Sequence, residues 1–263
     1  MKEITLTVRS LQIEPVDVSD LKLDQLIENS ANEIAKLSVR SAIYDFELGD
    51  LFDVDCRSID HETPSLILRG DCKSIQRLGH QHCFGIIRVE GDIGDNCGTC
   101  MTGGKIMING NAGDQLGGPS GARNIGMNGG IIAVSGSAGR FAGHRMRRGE
   151  IRIAGEAGDS LAAWQVAGTI FVGGTVGNHL AYGMRRGTVI LGTPAQLPPS
   201  RFSLPVTLES PFEQILLGRA ELKHDVPLLD RKKREHDLGE NPWCVSRGDR
   251  TIGGIGEIWQ PRI

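Results

Sequence analysis

Glycine recurs in this sequence at a fixed interval. Gly91, Gly110, Gly136, Gly155, Gly174 and then Thr193 fall in one column, at intervals of 19, 26, 19, 19 and 19 residues. Gly94, Gly113, Gly139, Gly158 and Gly177 form a second column three residues on, so each unit carries Gly-x-x-Gly followed by Asp95, Asp114, Arg140, Asp159 or Asn178. A fixed period is the signature of stacked repeats in which each unit contacts mainly its neighbours. Nineteen residues are too few for a βαβ unit, which needs about 30. They suffice for one coil of strands and tight turns.

Before the first glycine the residues alternate. Ile87/Val89, Ile106/Ile108, Ile132/Val134, Ile151/Ile153, Ile170/Val172 and Val189/Leu191 are apolar, with mostly polar or small residues between them. Period two means a strand with one buried face. The same parity runs on through Ile93, Ala112, Ala138, Ala157 and Val176. Equivalent strands of stacked coils pair in parallel about 4.8 Å apart, so columns become interior ladders. One is Cys97, Leu116, Ala142, Leu161 and Leu180; another is Met101, Met127, Met146 and Met184, read as core packing rather than a cofactor box. The glycines are read as bending the strand and, at the second position, as supplying positive φ.

The expected fold is all-β: a parallel β-helix of about six to seven coils over residues 46–197, between a small α/β cap over 1–45 and a C-terminal helix plus extended tail over 198–263. In the cap, Ile4, Leu6 and Val8 alternate, and Asp20 and Ser30-Ala31-Asn32-Glu33 offer helix starts. Leu51-Phe52-Asp53-Val54 is read as beginning the stack, and Leu66, Leu68, Gly70 and Cys72 as a weaker coil. The longer interval is an outward loop around residues Pro119 to Ile125. Thr193-Pro194 and Pro198-Pro199 end the regular pattern. Ser210-Pro211-Phe212-Glu213 predicts a helix through about Leu222, Arg231-Lys232-Lys233-Arg234-Glu235 a solvated run, and the remainder to Ile263 an extended tail without periodicity.

Composition supports the repeat and narrows the function. Of 36 glycines, 27 lie between Gly85 and Gly192. A net charge of −3 gives no basic surplus for nucleic acid or an anionic membrane. No apolar run of about 18 residues and no basic-then-apolar leader occurs, so a cytoplasmic location is expected. The six cysteines are too dispersed for a secreted disulfide framework. The residues most like a site are Cys97-Gly98-Thr99-Cys100, with Cys72, His80, His82 and Cys83 one coil away. A zinc site needs four convergent ligands. The repeat instead aligns Cys97 with interior Leu116 and Leu161, and Cys100 with Arg145, Trp164 and Gly183, so one cysteine points in and the other out. No nucleophile elbow or phosphate-cradling loop is present. No catalytic, cofactor-binding or metal-ligating residue is assigned, and a stand-alone metal or redox protein using Cys97 and Cys100 is the alternative from another class.

With the repeat in view, residues Leu48 to Leu191 and a stretch near the C-terminus resemble the C-type subunit of the formylmethanofuran dehydrogenase family, including its bacterial form in the formyltransferase/hydrolase complex. The resemblance is carried by Leu48-Gly49-Asp50-Leu51-Phe52-Asp53-Val54, Met101-Thr102-Gly103-Gly104, Met127-Asn128-Gly129-Gly130, Met146-Arg147-Arg148-Gly149 and Met184-Arg185-Arg186-Gly187. Gly248-Asp249 and Gly254-Ile255-Gly256-Glu257-Ile258 add to it. The last domain of glutamate synthase shares the β-helix. The resemblance implies a subunit without its own active site, bound to hydrolase-like and formyltransferase subunits. In the bacterial complex a formyl group passes from tetrahydromethanopterin to a methanofuran-type cofactor and is hydrolysed to formate. The paired arginines look more like that form, and the molybdenum or tungsten dehydrogenase is the rival. Two turns depart from the pattern: His82-Cys83-Phe84-Gly85 and Trp164-Gln165-Val166-Ala167-Gly168.

Arg147, Arg148, Arg185 and Arg186 occupy the same two positions in coils 38 residues apart. The plain reading is solvated turns. The sharper one is an edge that docks an acidic surface: a partner subunit, or the glutamate-rich tail that the resemblance implies for the cofactor.

Overall fold

A computed structural model of the chain describes residues 1–9, 14–60, 63–121, 124–207 and 243–262. The strands are β1 (Lys2–Val8), β2 (Val16–Asp17), β3 (Ser38–Ser41), β4 (Asp45–Glu47), β5 (Phe52–Ser58), β6 (Ser65–Arg69), β7 (Ile75–Gln76), β8 (Ile86–Glu90), β9 (Lys105–Ile108) and β10 (Asn128–Val134), followed by β11 (Arg148–Ile153), β12 (Thr169–Val172), β13 (Thr188–Leu191), β14 (Val206–Thr207), β15 (Trp243–Gly248) and β16 (Gly256–Pro261). Twelve form one mostly parallel sheet in the order β14-β15-β16-β13-β12-β11-β10-β9-β8-β6-β1-β5. The other four form a small sheet, β4-β3-β2-β7.

From β8 to β13 the strands are parallel and matched on equivalent positions. Ile87 lies opposite Ile106, which lies opposite Ile132, and the ladder continues through Ile151 and Ile170 to Val189. All six side chains are fully buried. A second ladder of single bridges joins Cys72, Ile93, Ala112, Ala138, Ala157 and Val176. The Cys97 and Met101 columns are buried throughout, with His82 in the methionine column before Met101 and Gln165 between Met146 and Met184.

The glycine columns exist for a different reason than the sequence suggested. Gly94, Gly113, Gly139, Gly158 and Gly177 do not have positive φ. A Cβ on Gly113, Gly139 or Gly177 would instead occupy the place of a carboxylate oxygen of Asp95, Asp114 or Asp159. Those oxygens accept the backbone N–H of Asp114 at 2.7 Å, Arg140 at 2.7 Å and Asn178 at 2.6 Å, one coil further along. The first column is likewise crowded by backbone, since a Cβ on Gly174 would stand 2.8 Å from the carbonyl carbon of Gly155. Positive φ falls mainly on other positions, including Asn96, Gln115, Phe141, Ser160 and His179.

Both ends of the stack are built differently from the expectation. β1 is not confined to a cap: it runs parallel to β6 inside the large sheet, with Ile4 opposite Leu66 and Leu6 opposite Leu68. Phe52 to Val54 do not begin a parallel coil, because β5 pairs antiparallel with β1 and closes that edge. At the other end the tail joins the large sheet. β16 pairs parallel with β13, placing Ile258 opposite Val189, and β15 folds back on it antiparallel. The helix expected at Ser210 to Leu222 and the run Arg231 to Glu235 lie outside the described residues.

Three short helices, α1 (Leu23–Leu26), α2 (Ala31–Ala35) and α3 (Leu48–Leu51), accompany the small sheet. Ser30 and Glu33 form a reciprocal capping box at the start of α2. Asp20 starts no helix, since α1 follows Lys22 and has no side-chain cap. One apolar core runs from Ile4 to Ile258. A smaller cluster of Phe171, Ile190, Trp243 and Trp259 lies apart from it, and the buried Arg152 guanidinium sits 5.4 Å from the Phe171 ring centre. No helix among the described residues is long and apolar enough to cross a membrane.

Candidate interaction surface

The cysteine and histidine candidates do not converge. Cys97 is buried and its thiol is pushed up to about 12 by that burial. Cys72, also buried, is pushed up to about 11 by burial and then by Asp71. Cys100 sits half-buried in the turn, where its sulfur accepts the Ser120 N–H at 3.2 Å. His82 is buried, with a ring nitrogen 3.3 Å from the Gly85 carbonyl oxygen, and burial lowers its pKa. Cys83 is exposed, and among the described residues His80 Nδ1 has no hydrogen-bond partner. Among the described residues no three His, Cys, Asp or Glu side chains are grouped to hold a metal. Protonated, separated thiols are poor nucleophiles and poor ligands.

The arginines recur at equivalent turns. Arg147, Arg148, Arg185 and Arg186 are all exposed. The Arg147 N–H donates to Met127 O, and the Arg185 N–H to Gln165 O, each at 2.8 Å. Both therefore occupy the same turn of their coils. Val166 and Ala167 stand in the coil between them.

Beside these turns lies a feature that the sequence reading missed, a ladder of rings. Phe141 and His144 have centres 5.6 Å apart, His144 and Trp164 5.4 Å, and Trp164 and Tyr182 5.2 Å with the last pair edge-to-face. The Arg201 guanidinium lies 5.0 Å from the Tyr182 ring centre. Gly183 makes room for the indole, since a Cβ there would stand 2.7 Å from Trp164 Cδ1. Burial, then Arg145, lowers the His144 pKa, so the ladder carries a neutral imidazole at neutral pH. The available signal was the interval from His144 to Tyr182, which is 38 residues like that between the arginine pairs.

No known family profile matches the sequence, and no curated protein matches it. A solved structure does. A chain of the formyltransferase/hydrolase complex (FhcABCD) from Methylorubrum extorquens, crystallised with methylofuran, is 31% identical, with 98% of this chain and 100% of that chain covered and a TM-score of 0.77. This chain belongs to that family. Membership in the formyltransferase/hydrolase family extends over both ends of the stack as well as its repeats, because the similarity spans nearly the full length. The Gly248-Asp249 stretch acquires a structural role within it: the Asp249 carboxylate is buried, accepts the N–H of Gly183 at 3.1 Å and pairs with Arg201 at 3.0 Å.

Proposed function

We propose that this chain is the C-type subunit of a formyltransferase/hydrolase complex in tetrahydromethanopterin-linked one-carbon metabolism, a non-catalytic cytoplasmic subunit that organises the hydrolase-like and formyltransferase subunits. The observation that carries this reading is the end-to-end similarity to a chain of a complex crystallised with methylofuran. The matched 19-residue offsets of β11 to β13, with the single-bridge ladder beside them, support a parallel β-helix as its scaffold. The methanofuran-type cofactor belongs to the complex rather than to this chain alone. Arg147, Arg148, Arg185 and Arg186 suit an acidic contact, because a guanidinium grips a carboxylate through two parallel hydrogen bonds.

Affinity purification of the chain from its native cell is the test. Recovery of hydrolase-like and formyltransferase subunits is expected, while the chain purified alone neither transfers nor hydrolyses formyl groups. Turnover by the isolated chain would overturn the non-catalytic role. A molybdopterin subunit in the recovered complex would assign the chain to the redox dehydrogenase instead.

A further inference from the structure

The turns that carry the arginines are unusual in their charge. Residues 141–149, 160–168 and 179–187 contain Arg145, Arg147, Arg148, Arg185 and Arg186 and no aspartate or glutamate, in a chain with 32 acidic and 29 basic residues. Among the described residues none of these five arginines is in an ion pair. The three carboxylates of the same repeats are engaged elsewhere: Glu150 pairs with Arg152, Glu156 accepts the Thr175 hydroxyl and Asp159 accepts the Asn178 N–H. The ring ladder belongs to the arginine turns. Tyr182 precedes Arg185 by three residues, a span of at most about 10 Å. Trp164 is 41% exposed and Tyr182 47%, yet both rings are held in place by their neighbours and Tyr182 by Arg201.

We infer that the ring ladder and the arginine edge form one docking surface for a polypeptide segment of a partner subunit, a segment that presents an apolar side chain flanked by carboxylates. This deepens, and rests on, the reading of the chain as a complex subunit. Each half of the surface specifies part of the occupant. Uncompensated arginines favour carboxylates. Exposed Trp and Tyr gain most when covered by apolar groups, and pre-positioned rings lose little freedom on binding. A chain of glutamates alone meets the first requirement and not the second. A single-stranded nucleic acid could stack on the rings, but the carboxylates of the same repeats and the net charge of −3 oppose a long polyanion.

The full-length chain is expressed with an affinity tag in its native cell, and the co-purifying hydrolase-like and formyltransferase subunits are quantified by mass spectrometry. Failure of the wild-type chain to recover them defeats the complex-subunit reading itself. If the wild type recovers them, Trp164→Ala combined with Tyr182→Ala is expected to lower recovery about tenfold or more, the scale of aromatic hot spots. The double charge reversal Arg185→Glu and Arg186→Glu, at exposed positions, provides a second variant should the ring variant not fold. It is expected to reduce recovery most at low salt. Thermal melts of the isolated variants check that folding is retained. Wild-type recovery by a folded ring variant, or by the charge-reversed variant at low salt, overturns the inference. So does binding of a synthetic oligo-glutamate peptide or an RNA oligonucleotide that depends on Trp164 while subunit recovery does not.

Discussion

At Gly155 two coils approach so closely that no side chain fits between them: a Cβ would lie 2.6 Å from Ser137 Oγ and 2.8 Å from the Gly136 carbonyl oxygen. Gly155→Val is therefore expected to cost about 3 kcal/mol or more, the scale of a forced core shift, read from the urea midpoint. Gly253→Ala provides the contrast. Its Cβ meets nothing within 4 Å and its φ is 69°, so only the left-handed backbone is strained, at about 1 kcal/mol. Equal losses at both positions would refute close packing as the reason for the glycine columns. Asp249 solves a related problem at the last coil. The backbone N–H of Trp164 donates to the carbonyl oxygen of Tyr182 in the next coil, whereas the Gly183 N–H finds the Asp249 carboxylate. Burial raises the carboxyl pKa, but hydrogen bonds from Thr251, Gly183 and Arg201 outweigh it and leave the pKa below the ordinary value. A group lowered in the folded state contributes stability that is complete above its unfolded pKa and is lost as pH falls through the folded one. Asp249→Asn should cost about 2 kcal/mol at neutral pH, by weakening a buried pair. It should also flatten the decline of stability as pH falls through and below the carboxylate range. An unchanged acid limb in pH-dependent urea midpoints would count against this role.

The methionine column is the element whose one irregular member can be tested most directly. Gln165 is fully buried between Met146 and Met184, and among the described residues its Oε1 has no hydrogen-bond partner. Its Nε2 donates to Gly168 O at 3.0 Å, an oxygen that also accepts the Thr188 N–H at 3.0 Å. Replacing glutamine by methionine removes a stranded acceptor, keeps the volume nearly constant and does not orphan the Gly168 carbonyl. Gln165→Met is expected to stabilise the chain by about 1 kcal/mol. A loss of stability in thermal or urea unfolding would mean that the amide satisfies a need beyond packing. The columns themselves were legible in the sequence because each coil repeats the same contacts, so residues such as Leu116, Leu161 and Leu180 report one environment three times. The ring ladder was not, because Trp164 stands one position off the column of His144 and Tyr182, and its ring meets theirs only when successive repeats are stacked.

Across the whole molecule, stability depends on how the stack is closed. The C-terminal hairpin of β15 and β16 covers the edge of β13 and adds the rung of Ile258 over Val189. A chain ending before Trp243 should expose that edge and its apolar rung, and associate or precipitate, as light scattering of the purified protein would detect. A monodisperse truncated chain would show the hairpin to be dispensable. The N-terminal end is closed by β1 and β5 in the same manner, and neither closure was visible as periodicity. Their partners are set by register between segments far apart in the chain, and a single added strand leaves no repeat to detect. The sequence by itself determined the mostly β character, the 19-residue offset at which β11, β12 and β13 pair, and their inward columns, since all of these follow from local alternation and self-similarity. Only the tertiary structure decided which strands close the two ends, why the glycines must be bare, and that His144, Trp164 and Tyr182 stand beside the arginines, because each of those depends on how closely one coil lies against the next.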